Sequence, residues 1–185
     1  MDVDTLLVNH CSPTLAGLKM GTLLCLPHEV PWQEHFHIFD IYNQKYNKKG
    51  LHFLILFRCP QRTLLYVYRP AMVEIYLRKK EISSFLQSYG YQSGSTLTAM
   101  LNHLSRRFYE GGCFPHESGI FLGYPLEDVC GFITNQGNHA KLCGDWKVYG
   151  DALEASLIFK KFNCCRQDYM NRLAVGTTLE SLIVA

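Results

Sequence analysis

Residues 51–69 read LHFLILFRCPQRTLLYVYR. Two runs rich in β-branched, aromatic and aliphatic residues, Leu51 to Arg58 and Thr63 to Arg69, flank the short Pro-containing connection Cys59-Pro60-Gln61-Arg62. That pattern predicts an antiparallel β-hairpin. Both faces of the first run are largely apolar, which predicts a central place for it in the sheet.

Working outward, the segment before the hairpin predicts an amphipathic helix. Trp32, Phe36, Phe39, Tyr42 and Tyr46 recur at helical spacing, and Asn47-Lys48-Lys49-Gly50 is a C-terminal stop. Nearer the start, Ser12-Pro13 has the form of an N-cap followed by proline at the first helical position, opening a short helix that Gly17 ends. Lys19 to Leu26 then reads as extended. Beyond the hairpin, Pro70 begins a helical stretch to about Gly90, with Ile82, Phe85, Leu86 and Tyr89 on one face. Ser95 opens another that carries Leu97, Met100, Leu101, Leu104 and Phe108. After Gly111-Gly112, short helices start from Pro115 and Pro125, and Trp146 to Tyr149 is a short strand between two glycines. Asp151 caps a last long helix with Ala155, Ile158, Phe159 and Phe162 inward, and Leu179 to Val184 is apolar without a clear period. The sum is an α+β fold, with helices packed on a small, mostly antiparallel sheet.

Composition narrows the function classes. The 185 residues are 48% hydrophobic and 18% charged, with 11 Phe and 11 Tyr, which predicts one ordered domain over 1–185. The net charge of +2, with Lys and Arg spread along the chain, argues against nucleic acid as a partner. Arg78-Lys79-Lys80 reads as a solvated helix end. No apolar run approaches the roughly 18 residues of a membrane span, and Met1-Asp2-Val3-Asp4 is acidic where a secretory signal is basic, so a cytoplasmic protein without a membrane partner is expected. The eight cysteines lack any C-x-x-C pair and are expected to stay reduced, with the vicinal Cys164-Cys165 as one buried and one exposed helix residue.

The phosphate-loop, dinucleotide, nucleophile-elbow and zinc-protease signatures are absent. Three polar turns remain. At His10-Cys11, a cysteine just ahead of a helix N-terminus has a lowered pKa, which makes Cys11 a nucleophile or metal ligand; the bland alternative is a small buried hydrophobe. At His116-Glu117, an imidazole and a carboxylate could act as acid/base and orienting group, although Glu117 also fits a helix cap. Glu127 and Asp128, in the first turn after Pro125, read as acids that complement a helix dipole. At Trp146-Lys147-Val148-Tyr149, strand alternation places Lys147 and Tyr149 on one face, offering a cation and a phenol to an anionic ligand, while Trp146 and Val148 pack inward. Lys19 and Tyr124 complete the candidate ligand-binding set. His35-x-His37 is a poor metal pair because positions two apart on a helix do not share a face.

The stretch from His10 to Lys19, Phe114 to Val129, Trp146 to Tyr149 and the hairpin end Tyr66-Val67-Tyr68-Arg69 resemble the domain-of-unknown-function family 3793, small proteins of anaerobic Firmicutes, chiefly clostridia. Ser118 stands where a bulky aliphatic residue is usual there, and Met20 where proline is common. The resemblance implies a bacterial cytosolic protein of anaerobic metabolism, with catalytic residues unassigned and the cofactor unknown.

The functional expectation is a small-molecule or cofactor site where the three turns converge, in a thiol-dependent enzyme: Cys11 as nucleophile, His10 or His116 as acid/base, Glu117 orienting, Lys19 and Lys147 holding an anionic group. The alternatives are a non-catalytic binding or regulatory module partnering a redox protein through the aromatic helix around Trp32 to Tyr46, and a metal or haem carrier built from His10, Cys11, His116, Glu117 and Cys143.

Overall fold

The computed structural model describes residues 2–26, 32–110 and 114–185. Gly111-Gly112 and Cys113 lie outside the described residues, as do the side chains of Trp32 and His35. The chain runs α1 (Val3–Leu15), β1 (Gly21–Leu26), α2 (Trp32–Tyr46), a 3-10 turn (Asn47–Lys49), β2 (His52–Cys59), β3 (Arg62–Tyr68), α3 (Pro70–Leu77), α4 (Lys80–Gln87) and α5 (Leu97–Glu110). It continues through α6 (Ser118–Phe121), α7 (Leu126–Thr134), β4 (Leu142–Cys143), β5 (Lys147–Val148), α8 (Ala152–Ala174) and α9 (Leu179–Leu182). This is an α+β fold, with one three-stranded antiparallel sheet and a separate two-stranded ribbon, β4 with β5. Among the described residues no helix is long and apolar enough to cross a membrane.

The predicted hairpin is present, with Phe53 opposite Val67 and Ile55 opposite Leu65. Its placement differs from expectation: the strand order is β1-β3-β2, so the second run is central and the first is an edge. The first run is apolar on both faces because helices cover both. Phe53 and Ile55 face a core with α1, α2 and α9, while Leu54, Leu56 and Phe57 face a second core built with α3 to α7. A register shift at Leu56 lets Leu56 and Phe57 enter the same core. The open edge is closed by a side chain: the Asn43 amide donates to the Phe53 carbonyl at 2.8 Å and accepts from the Phe53 N–H at 2.9 Å, as a neighbouring strand would.

α2 packs the second half of its aromatic stripe inward, Phe39, Tyr42 and Tyr46, while Phe36 is 49% exposed. Phe39 stacks on Phe53 with ring centroids 5.8 Å apart, and Tyr42 and Tyr46 adjoin the same ring. The predicted Gly50 stop holds, with Gly50 in the left-handed region at φ 70°. The long α8 begins as expected, the Asp151 carboxylate accepting from Leu153 N and Glu154 N at 2.9 Å. Its first half packs Phe159 and Phe162 against Trp146 and Val148 in a smaller third core.

The start of the chain corrects the expectation for Ser12-Pro13. The first helix is capped by Asp2, whose carboxylate accepts from Thr5 N at 2.8 Å, and runs through Pro13 to Leu15. Ser12 is no N-cap; its hydroxyl donates back to the Val8 carbonyl, four residues earlier. Pro13 is tolerated in the last turn because the carbonyl it leaves unbonded belongs to Asn9, on the exposed face. Gly17, at φ 71°, ends the helix as expected.

Candidate functional site

α7 opens after Pro125, and its first turn aims Asp128 into the protein, where the residue is 3% exposed. One carboxylate oxygen accepts from the backbone N–H groups of Tyr149 and Gly150 at 2.7 and 2.8 Å, and the other from the Trp146 indole N–H at 2.6 Å. Asp128 therefore ties β5 and its flanks to α7. The Trp146 ring stacks on Tyr124, centroids 5.1 Å apart, and meets Phe159 edge-on at 4.5 Å. Glycine is required beside these rings: a Cβ on Gly144 would lie 2.3 Å from the Phe159 ring, and one on Gly131 2.4 Å from Tyr149.

Between this assembly and the sheet lies a cavity of about 480 Å³. Leu23 and Leu64 of the sheet, Leu122, Val129 and Phe132 give it an apolar body, and Trp146 forms one wall. His116 and Lys147 also line it. The His116 ring lies 5.0 Å from that of Phe132, and among the described residues its nitrogens make no hydrogen bond. Lys147 passes over Phe132 at 5.8 Å and donates to the Gly137 carbonyl at 2.8 Å, which leaves ammonium hydrogens for a further acceptor. Both Asp128 oxygens are already bonded, so the groups with hydrogen-bonding capacity to spare include a cation and an imidazole. The volume falls within the range of small-molecule sites.

Of the nine residues singled out from sequence, this cavity gathers His116, Tyr124, Trp146 and Lys147. The other five lie elsewhere. Lys19 lines a different cavity. The Glu117 side chain neither makes a helix-capping bond nor orients His116; buried, it accepts from Arg107 Nε at 2.8 Å, its other oxygen without a partner among the described residues. Tyr149 turns against Gly131, its hydroxyl buried without a partner among the described residues, so the expected pairing of Lys147 and Tyr149 on one ligand-facing side does not form. Trp146 and Val148 pack inward as expected. His10 is exposed on α1 and lines none of these cavities.

Cys11 loses its physical reason to ionise. It sits in the third turn of α1 rather than before a helix start, is 0% exposed, and burial pushes its thiol up to about 12, a rise that nearby Lys19 offsets only in part. Cys25, by contrast, is exposed on β1 and lines the cavity with His116. In the native protein iodoacetamide is expected to label Cys25 at least ~100-fold faster than Cys11, since Cys25 is accessible and burial both shields Cys11 and suppresses its thiolate. Peptide mass spectrometry across a pH series measures the ratio, and comparable rates would overturn the assignment. For metal binding, no three His, Cys, Asp or Glu side chains among the described residues are grouped closely enough to hold an ion, so the composite of His10, Cys11, His116, Glu117 and Cys143 is not assembled.

Sequence reasoning missed Asp128 as the anchor of the site and Cys25 as its thiol. Strand alternation held the signal for Cys25, since Leu24 and Leu26 face the α1 core and so turn Leu23 and Cys25 to the cavity side. No local signal separates Asp128 from Glu127.

No curated protein and no solved structure matches the chain. A family model described as "Protein of unknown function (DUF3793)" matches residues 7–183, nearly the whole length and all the elements that build the cavity. The chain belongs to the DUF3793 family.

Proposed function

We propose that this is a cytoplasmic small-molecule-binding protein whose ligand is a flat, largely apolar molecule with one acidic group. The observation that carries the reading is the composition of the cavity beside Trp146: an aromatic and aliphatic body, with Lys147 and His116 holding unused hydrogen-bonding capacity. The apolar body enters between Phe132, Val129 and Trp146, and the acid meets the ammonium and the imidazole in charge-assisted hydrogen bonds.

The test is titration with 2-naphthoate in a Trp32→Phe background, which leaves Trp146 as the single tryptophan. Saturable quenching is expected. Lys147→Met keeps the apolar stem over Phe132 and removes the charge, so affinity should fall about tenfold, the worth of one charged hydrogen bond. Absence of saturable binding, or equal affinity in the variant, counts against the proposal.

A second reading, thiol-dependent chemistry, is favoured by one observation: Cys25 and His116 line the same cavity. It moves the nucleophile from Cys11 to Cys25. Under it, 2-naphthoate should protect Cys25 from alkylation while leaving Cys164 unprotected. The partner-module reading loses much of its face, because Phe39, Tyr42 and Tyr46 are spent on the core.

A further inference from the structure

Trp146 and Leu122 also border a second cavity, of about 540 Å³, between the entry to β1, α3 and the first half of α8. Its walls are flexible or aliphatic: Met20, Met72, Ile75 and Ile158, with Phe162. Among the described residues three lysines line it, Lys19, Lys79 and Lys161, and no carboxylate does.

Lys19 is held there by the backbone. After the left-handed turn at Gly17, the N–H groups of Leu18 and Lys19 both donate to the Pro13 carbonyl, at 2.8 and 3.0 Å, and direct the side chain between two rings. Its ammonium lies 5.3 Å from the Tyr124 ring centre and 5.9 Å from that of Phe162. Among the described residues it makes no hydrogen bond. Asp145, the acid whose charge reaches it, is bound by Arg166. Desolvation lowers the Lys19 pKa, the mark of a cation short of compensation. A half-buried ammonium with aromatic neighbours and no acceptor is costly unless an anion supplies one.

We propose that this second cavity binds an aliphatic anion of the medium-chain carboxylate class, its head on Lys19 with Lys79 and Lys161 and its chain along Met72, Ile75 and Ile158. The methionines suit a chain of variable conformation better than a rigid ring. This site is separate from the one beside Phe132 and does not rest on it.

Calorimetric titration of the full chain with dodecanoate below its micellar concentration tests the idea. One saturable site is expected, weakened about tenfold or more by Lys19→Met, restored to within about threefold by Lys19→Arg, and unchanged by Lys147→Met. Dodecanol, which has the chain without the charge, should bind at least about tenfold more weakly. Equal affinity of Lys19→Met and the parent, equal affinity for dodecanol, or no saturable site would each overturn the proposal. Should Lys19→Met fail to fold by circular dichroism, the double variant Lys79→Met, Lys161→Met takes its place; it should bind several-fold more weakly, and unchanged affinity would overturn the proposal equally.

Discussion

Asp128→Asn, one atom changed for another of the same size, is expected to lower the free energy of unfolding by about 2–4 kcal/mol. The carboxylate accepts three hydrogen bonds, from Tyr149 N, Gly150 N and Trp146 Nε1, on its two oxygens. An amide has one acceptor atom and one donor. In one orientation its NH2 faces the indole N–H; in the other it faces two backbone N–H groups. Either way donor meets donor in a site 3% exposed. Against a typical total of about 5–15 kcal/mol, that loss is large. Urea unfolding followed by circular dichroism measures it, and a loss under about 0.5 kcal/mol would show that the carboxylate is not the anchor. The cavity proposed to bind a ligand should suffer with the fold, because Asp128 holds both Trp146 and the strand that carries Lys147.

The elements legible in the sequence were those whose signal is local and strong. Phe39, Tyr42 and Tyr46 at helical spacing, Asp151 ahead of α8, Gly17 and Gly50 as stops, and the paired runs of the hairpin all formed as expected. Strand order was not legible. An apolar strand on both faces is equally the signature of a central strand and of an edge covered by helices, and the amide that seals the β2 edge comes from Asn43, on another element. Ser12-Pro13 misled because a serine before proline is also what a last helical turn tolerates when the orphaned carbonyl, here that of Asn9, faces solvent. The competing signal lay at Asp2, three residues ahead of Thr5.

The candidate site was half legible for a related reason. His116, Tyr124 and Trp146 lie in connecting segments and Lys147 on β5, around one cavity where the fold brings them together. Which side of a turn a residue takes depends on partners far away in sequence. Lys19 turns toward Phe162, 143 positions on, and lines the second cavity. Glu117 turns toward Arg107, and Tyr149 fits against a glycine that no local rule marks. Polar residue type located the region; non-local packing assigned the roles.

The other large effect is expected at Arg69, which the sequence places at the end of the hairpin, before Pro70, without marking any role for its side chain. Its side chain is a clamp. Nε donates to the Thr14 carbonyl at 2.7 Å, and one terminal nitrogen donates to the carbonyls of Leu15 and Val184, at 2.6 and 2.7 Å. The guanidinium joins the end of α1 to the last turn of the chain, and the residue is 7% exposed. It makes these bonds to carbonyls, so the charge is offset by peptide dipoles at a helix C-terminus. Arg69→Met fills similar space and removes the charged donors, leaving the Thr14 and Leu15 carbonyls with only the N–H groups of Gly17 and Val184, at 3.2 and 3.1 Å, at an expected cost of about 3 kcal/mol or more. Arg69→Lys keeps the charge but offers one nitrogen where three are used, the third donating to the Lys49 carbonyl at 3.4 Å, and should recover less than half of the loss. The clamp also has a functional consequence. Arg69 Nε lies 3.7 Å from where a Cβ on Gly17 would stand, against the turn that delivers Lys19 to the second cavity. Arg69→Met should therefore weaken dodecanoate binding several-fold at a temperature where the variant is still folded, while 2-naphthoate binding is unaffected. Thermal melts and parallel titrations measure both. Equal loss for the two ligands would mean general loosening of the fold, and no loss for either would separate the α1 turn from the Lys19 site.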